Sequence, residues 1–190
     1  MQHQRRKVPA VSEAPRASNL TKDAIEKIAE QVAREMGYAP EKEISDLISA
    51  HGGRVSIKDF WKLDGTTDES IVVKPDATFE IYIPPHTSPE RDRFTIAHEL
   101  GHYVLHYLLD PGRTKPKGGF AASRYGNSRV EWEANWFAAG FLMPRSAFKT
   151  AFEREKSHIG RVAEHFRVSP AAAYVRARAI GLVNAAKESV

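Results

Sequence analysis

The sequence predicts an α+β fold that is mostly helical and contains a small three-stranded β-sheet. Three observations lead to this class. Apolar residues recur at helical spacing in several long stretches. Three short stretches between residues 54 and 83 alternate or are rich in β-branched residues, as strands are. The length of 190 residues suits one well-cored domain with a small addition.

The composition excludes some kinds of metal site and argues against a membrane or secreted protein. The chain has no cysteine, so disulfides and thiolate metal sites are excluded and any zinc must be held by histidine and carboxylate. No apolar run approaches the roughly 20 residues of a membrane span, and the N-terminus lacks the apolar core of a signal peptide. A cytoplasmic protein is therefore expected. The net charge of +4 permits contact with nucleic acid without requiring it.

The first elements are helical. Residues 1–18 are polar and basic, which predicts a disordered tail. Its cluster Arg5–Lys7 is interpreted as solvated, although it could touch phosphate. The spacing of apolar residues predicts a helix over Lys22–Met36 that ends at Gly37, and a second short helix within Glu41–Ala50.

The sheet comes next. Strands are predicted over Arg54–Ile57, Ser70–Lys74 and Thr78–Ile83, and the last two form a hairpin across a turn at residues 75–77. Two prolines end the sheet. Ser88 followed by Pro89 predicts the start of the next helix.

That helix carries the pattern His98-Glu99-x-x-His102. On an α-helix, positions i and i+4 lie on one face, so two imidazoles can hold one divalent metal ion. Glu99 lies about 100° away around the helix and can reach water activated by the metal. The flanking residues are apolar, and burying such polar groups is costly unless a partner satisfies them. The pattern therefore predicts a metal site with His98 and His102 as ligands and Glu99 as general base.

A catalytic zinc ion normally takes a third protein ligand. After a Gly- and Pro-rich stretch at 107–127, predicted to be a long mobile loop, a helix over Arg129–Met143 offers Glu131 and Glu133. They lie about 200° apart around the helix, so only one can face the metal. Glu131 is favoured, because Asn135 one turn later could accept the outer N–H of a ligand histidine. Glu133 is the alternative, or both carboxylates are exposed. His106 is expected to support the site rather than to bind metal.

The C-terminal part is helical. A helix is predicted over Ser146–Lys156, and Ile159–Leu182 has the pattern of a helix-turn-helix with Ser169 as N-cap. The start of its second helix is alanine-rich and offers no hydrogen bonds to bases, whereas Arg176 and Arg178 could meet phosphates. We expect packing or partner docking here more than specific DNA reading.

Taken together, two motifs resemble the ImmA/IrrE metallopeptidase family, and the resemblance covers about residues 22–182. The matching residues are Arg91-x-Arg93-Phe94-Thr95-Ile96-Ala97-His98-Glu99-Leu100-Gly101-His102 and Glu131-x-Glu133-Ala134-Asn135-x-Phe137-Ala138-x-x-x-Leu142-Met143-Pro144. Asn135 is a departure, because many relatives carry Asp there.

The resemblance implies a gluzincin-like zinc peptidase with ligands His98, His102 and Glu131 and with Glu99 as base. It implies a zincin-like metallopeptidase core at 19–144, then a helix-turn-helix-like subdomain at 145–190. Characterised relatives cleave helix-turn-helix repressors and thereby relieve repression of phage, mobile-element or stress genes. A repressor is the expected substrate, aligned by strand addition to Phe79–Ile83.

Several points stay open at this stage. A two-histidine, one-carboxylate set also suits Mn²⁺ or Fe²⁺. Oxyanion stabilisation falls to one of Arg93, Tyr103, His106 and Tyr125. The alternative function is a non-catalytic, zinc-stabilised regulator or toxin-like module that binds DNA or a helix-turn-helix antitoxin.

Overall fold

The computed structural model describes residues 15–59, 69–74, 76–112, 120–123 and 129–183. Over these residues the chain forms seven α-helices, four strands and one π-helical turn, which confirms the α+β class. The strands are β1 (Gly53–Ile57), β2 (Glu69–Val73), β3 (Phe79–Ile83) and β4 (Phe120–Ser123). The helices are α1 (Lys22–Glu35), α2 (Ile44–Ala50), α3 (Pro89–Gly101), α4 (Arg129–Leu142), α5 (Arg145–Arg154), α6 (Ile159–Phe166) and α7 (Pro170–Ala179).

The described strands form one mixed sheet in the order β1-β3-β2-β4. β2 and β3 are antiparallel, as the predicted hairpin requires, and β1 runs parallel to β3. The predicted number of strands was wrong, because β4 pairs with β2 inside the stretch expected to be a mobile loop. The rest of that stretch, residues 113–119 and 124–128, lies outside the described residues.

The position of β3 corrects a second expectation. β3 has β1 on one side and β2 on the other, so both of its backbone edges are already hydrogen-bonded. An extended substrate cannot add to a strand that has no free edge. Strand addition to Phe79–Ile83 was therefore wrong.

Close packing of α3 against α4 brings the two motifs together. Gly101, at the end of α3, faces the backbone of α4, and a Cβ added there would lie 3.2 Å from the Cα of Ala134. That separation is tighter than ordinary side-chain contact, so the absence of a side chain lets the helices approach. The opposite face of α4 packs on α1. Helix α4 is consequently fixed between the HExxH helix and the first helix.

The C-terminal helices share the apolar core with the rest of the described chain. α6 ends at Arg167 in the left-handed conformation (φ 53°), and α7 begins at Pro170 with Ser169 as its N-cap, as the sequence predicted. The expectation that Arg176 meets phosphate was wrong: its side chain is 0% exposed and lies 2.8 Å from Glu26 Oε2. Both the helix-turn-helix character of this part and the boundary at 144/145 stay predictions.

The end of the predicted N-terminal tail is placed against the core. Residues 1–14 lie outside the described residues, but the backbone N–H of Ser18 donates to the Glu133 carboxylate at 2.7 Å. Among the described helices, none combines the length and the apolar character needed to cross a bilayer.

Candidate metal centre

The HExxH motif lies at the end of α3 and the beginning of the π-helical turn, His102–Leu108. α3 starts where predicted, since the Ser88 hydroxyl accepts the N–H of Arg91 and Pro89 occupies the first turn. His98 and His102 lie one turn apart on the face that meets α4, with Nε2 atoms 3.0 Å apart. π-Helical turns inside α-helices are rare and often occur at functional sites.

Glu131 completes a triangle of donor atoms with the two histidines. Its Oε2 lies 3.2 Å from His98 Nε2, and its Oε1 lies 3.4 Å from His102 Nε2. Four ligands around a tetrahedral zinc ion at roughly 2.0–2.1 Å are about 3.3 Å from one another. The three described donors therefore have the mutual spacing that a small divalent cation requires, and they form a group that could hold one.

Asn135 fixes the orientation of His98. Its Oδ1 lies 3.0 Å from His98 Nδ1, which is the contact anticipated from the spacing of Glu131 and Asn135. An amide oxygen only accepts, so His98 must donate from Nδ1. In neutral His98 the lone pair is then on Nε2 and points into the triangle. At many histidine–metal sites a carboxylate makes this contact.

A longer chain of contacts orients His102. Its Nδ1 lies 3.1 Å from His106 Nδ1, and His106 Nε2 lies 3.1 Å from Glu133 Oε2. The carboxylate only accepts, so His106 donates from Nε2 and accepts at Nδ1. His102 must then donate from Nδ1, which leaves the lone pair of its Nε2 inside the triangle. Two lone pairs and one carboxylate converge on a single point, which a cation has to stabilise.

Electrostatics agree with this description. Burial opposes protonation of His98, but the hydrogen bond to Glu131 and the charge of Glu99 outweigh it and raise its pKa above 6.5. Burial lowers the pKa of His102 to about 4. Burial also disfavours the charged form of Glu131, yet its contacts with His102 and His98 prevail and lower its pKa to about 2. At neutral pH the Glu131 carboxylate is therefore anionic and the His102 ring is neutral. His98 is the ring of the triangle that binds a proton more readily.

Glu99 lies beside the triangle in a buried position, with 2% of the residue exposed. It is close enough to His98 for its charge to affect that ring, yet it is not one of the three grouped donors. Its role as a general base stays a prediction. Burial strengthens its interaction with any positive charge in the triangle, because the local dielectric constant is low.

Three of the four candidates for oxyanion stabilisation are bound elsewhere. Arg93 donates to Tyr38 Oη, Pro40 O and Lys42 O. Tyr103 donates to the backbone oxygen of Ala77 at 3.1 Å, and His106 lies between His102 and Glu133. The fourth, Tyr125, lies outside the described residues.

Sequence reasoning missed the role of Glu133. It appeared only as an alternative metal ligand or an exposed carboxylate, whereas the residue is 0% exposed and faces His106 and the N-terminal segment. Two signals in the sequence point to this arrangement. Arg129 stands one turn before Glu133 and donates to it at 2.9 Å, and His106 stands one turn after His102.

A cavity of about 440 Å³ lies beside the centre, between α4 and α7. It reaches the centre at Asn135, whose side chain contacts His98. The cavity is mostly apolar, and its walls include Phe94, Trp132, Asn135, Trp136, Ala172 and Val175. Ala171 and Ala172, in the first turn of α7, line this apolar cavity.

Comparison with known proteins decides the family. Residues 51–178 match a peptidase family described as the IrrE N-terminal-like domain, a span that contains both motifs and all three donors. The chain belongs to this family. Membership in the IrrE-like peptidases confirms the resemblance drawn from the motifs, and it points to a metallopeptidase and to a metal ion in general terms.

The IrrE-like fold is also found among solved structures. The chain is similar to a Mycobacterium tuberculosis transcriptional regulator with a TM-score of 0.53 and 21% sequence identity. The similarity covers 82% of this chain but 47% of that one, so the chain spans about half the length of this solved relative. At this identity the similarity shows the fold alone. No curated protein matches the chain.

Proposed function

We propose that this IrrE-like protein is a cytoplasmic zinc-dependent endopeptidase whose substrate is a helix-turn-helix transcriptional repressor. The observation that carries the proposal is the convergence of two Nε2 lone pairs and the Glu131 carboxylate on one point. His98, His102 and Glu131 would hold the ion, and Asn135 and His106 would keep the two rings in orientation. When bound, the ion would supply a Lewis acid that acidifies water and polarises a peptide carbonyl.

Glu99 would carry the proton transfers. Its carboxylate takes a proton from the attacking water and delivers it to the nitrogen of the leaving amine, so one C–O bond forms as the C–N bond breaks. Because this residue is buried, the local dielectric constant is low, and electrostatic stabilisation of the charges that form in both proton transfers is stronger than in water. The apolar cavity between α4 and α7 would receive a substrate side chain next to the scissile bond, because it opens beside Asn135.

The donor count favours an enzyme over a purely structural zinc site. Structural zinc sites are usually closed by four protein ligands, whereas catalytic sites keep one position for water. Within the described part of the chain, the group that could hold the ion contains three side chains, namely two histidines and one glutamate. The family supports a peptidase, and the solved relative, a transcriptional regulator, supports a regulatory setting.

A single substitution tests the proposal. Zinc-loaded wild type and Glu99→Gln are incubated with purified helix-turn-helix repressors from the same organism, with and without a chelator, and the products are identified by mass spectrometry. We expect wild type to cleave at one site and to stop when chelated. Glu99→Gln should keep one zinc ion per chain, measured by elemental analysis, and should lose at least about a hundredfold in rate.

A matched control makes the same chemical change elsewhere on α3. Glu90→Gln alters a first-turn carboxylate of the same helix, and it should cleave at the wild-type rate. Cleavage by Glu99→Gln at the wild-type rate would show that the base is assigned wrongly. Zinc binding without any cleavage by wild type would favour the non-catalytic regulator instead.

A further inference from the structure

Glu133 is a buried carboxylate to which the proposed function gives no role. It is 0% exposed, and four N–H groups of the described residues donate to it, two to each oxygen. Oε2 accepts from the backbone N–H of Ser18 at 2.7 Å and from His106 Nε2 at 3.1 Å. Oε1 accepts from the backbone N–H of Asn19 at 3.0 Å and from Arg129 Nε at 2.9 Å.

The donor and acceptor roles in these hydrogen bonds determine the tautomers of His106 and of the ligand His102. Because every partner of Glu133 donates, His106 has no choice of tautomer, and its Nδ1 remains an acceptor for His102. An amide in place of the carboxylate would present donor hydrogens to at least one of these donors. Relieving that clash at His106 would reverse its tautomer and place a hydrogen on His102 Nε2, where the metal would bind.

The segment 15–20, here called the N-terminal arm, is bound to the same carboxylate. Besides the two N–H groups, the arm accepts a bond from Arg129 Nη2 at its Leu20 oxygen. Asn19 adopts a left-handed conformation with φ 57°, which asparagine tolerates better than most residues. The arm therefore supplies two of the N–H donors that hold Glu133 in place.

We infer that Glu133 is a positioning residue for the ligand His102, acting through His106, and that docking of the N-terminal arm is coupled to metal binding. The inference rests on the metal site of the proposed function and extends it to residues outside that site. Coupling is reciprocal: if the docked arm favours metal binding, bound metal favours the docked arm by the same factor.

The first test measures zinc affinity by competition with a chromophoric chelator, on the full chain. Glu133→Gln keeps the size of the side chain and removes acceptor capacity, and it should weaken zinc binding about ten- to a hundredfold. Glu26→Gln is the matched control, because Glu26 is also a buried carboxylate but pairs with Arg176 away from the centre. It should bind zinc as wild type does.

A pair of substitutions at His106 separates orientation from packing. His106→Gln can accept from His102 and donate to Glu133, so zinc affinity should stay within a few fold of wild type. His106→Phe fills similar space without an acceptor and should lose about ten- to a hundredfold. Equal affinities for these two variants would overturn the positioning role, and this pair decides the matter if Glu133→Gln does not fold.

The second test follows the arm by hydrogen exchange of the Ser18 and Asn19 amides. We expect zinc to slow exchange about fivefold or more in wild type and to have little effect in Glu133→Gln. Equal exchange with and without zinc would overturn the coupling. If wild type binds no zinc, the proposed metal centre itself fails; if it binds zinc and the variants match it, only the present inference fails.

Discussion

At the scale of single residues, the centre is defined by which nitrogen of each histidine carries hydrogen. Asn135 accepts a hydrogen bond from His98 Nδ1, and His106 accepts one from His102 Nδ1. Both Nε2 atoms therefore face Glu131. Two lone pairs 3.0 Å apart repel each other unless a positive charge lies between them. Without metal, a proton on His98 Nε2 can lie there; burial opposes it, but the hydrogen bond to Glu131 and the charge of Glu99 outweigh burial and raise the pKa of His98.

This competition between proton and metal has a measurable consequence. At pH 6, below the ordinary histidine pKa of 6.5, His98 is protonated because its pKa is raised, whereas His102 is neutral because its pKa is about 4. Zinc must then displace the His98 proton, so we predict the release of about one proton per ion. Affinity should fall as the pH decreases from 7 to 5.

Titration calorimetry in two buffers of different ionisation enthalpy measures the number of protons released. His98→Ala serves as control and should release close to none at the same pH, although it binds zinc more weakly. Release of two protons by wild type at pH 6 would mean that His102 is protonated too, which would contradict the effect of burial on its pKa.

At the scale of elements, α7 is attached to the core by a charge rather than by apolar residues alone. Arg176 Nη1 lies 2.8 Å from Glu26 Oε2, and Arg176 Nε donates to the backbone oxygen of Met143. We predict that Arg176→Met lowers the free energy of unfolding by about 3 kcal/mol, because Glu26 would remain buried with weaker partners. Arg145, at 3.5 Å from the same oxygen, compensates only in part.

Urea unfolding measures this difference, and Arg178→Met is the matched control. Arg178 lies two residues further along α7 and is exposed, so its loss should change the free energy of unfolding by about 0.5 kcal/mol or less. Replacing Glu26 by Gln in the Arg176→Met background should restore part of the lost stability. Equal effects of the two arginine substitutions would show that the buried pair does not hold α7.

Elements with a strong period could be predicted from the sequence, and elements defined by their neighbours could not. α1 and α4 were predicted within one residue at each end, because their apolar stripes and terminal residues are clear. β4 has the sequence Phe-Ala-Ala-Ser, which lacks alternation, and it becomes a strand by pairing with the open edge of β2. Over the seven residues 102–108, apolar spacing does not separate a π-helical turn from an α-helix.

The same distinction holds at the centre. His98, Glu99 and His102 follow from helical spacing alone, and the spacing of Glu131 and Asn135 anticipated their contacts with His98. Glu133 was missed because its burial depends on the N-terminal arm, more than 110 residues away in sequence. No period within α4 records that contact.

At the scale of the whole molecule, a metal ion in the triangle would link α3 to α4 across the core. The two helices already pack through Gly101 and Ala134, so the ion would add a bond between elements that are in place. A ligand that binds only the folded chain stabilises it in proportion to the logarithm of its free concentration. At a hundred times the dissociation constant, the gain is about 2.7 kcal/mol.

We therefore predict that free zinc at this concentration raises Tm by about 5–10 °C relative to protein in a chelator, since about 1 kcal/mol shifts a chain of this size by 2–4 °C. Scanning calorimetry on both samples measures the difference. His102→Ala should show no shift, because a histidine–carboxylate pair alone binds zinc weakly, and magnesium should have little effect on wild type because it prefers oxygen ligands. A zinc-dependent shift that survives in His102→Ala would place the ion elsewhere on the chain.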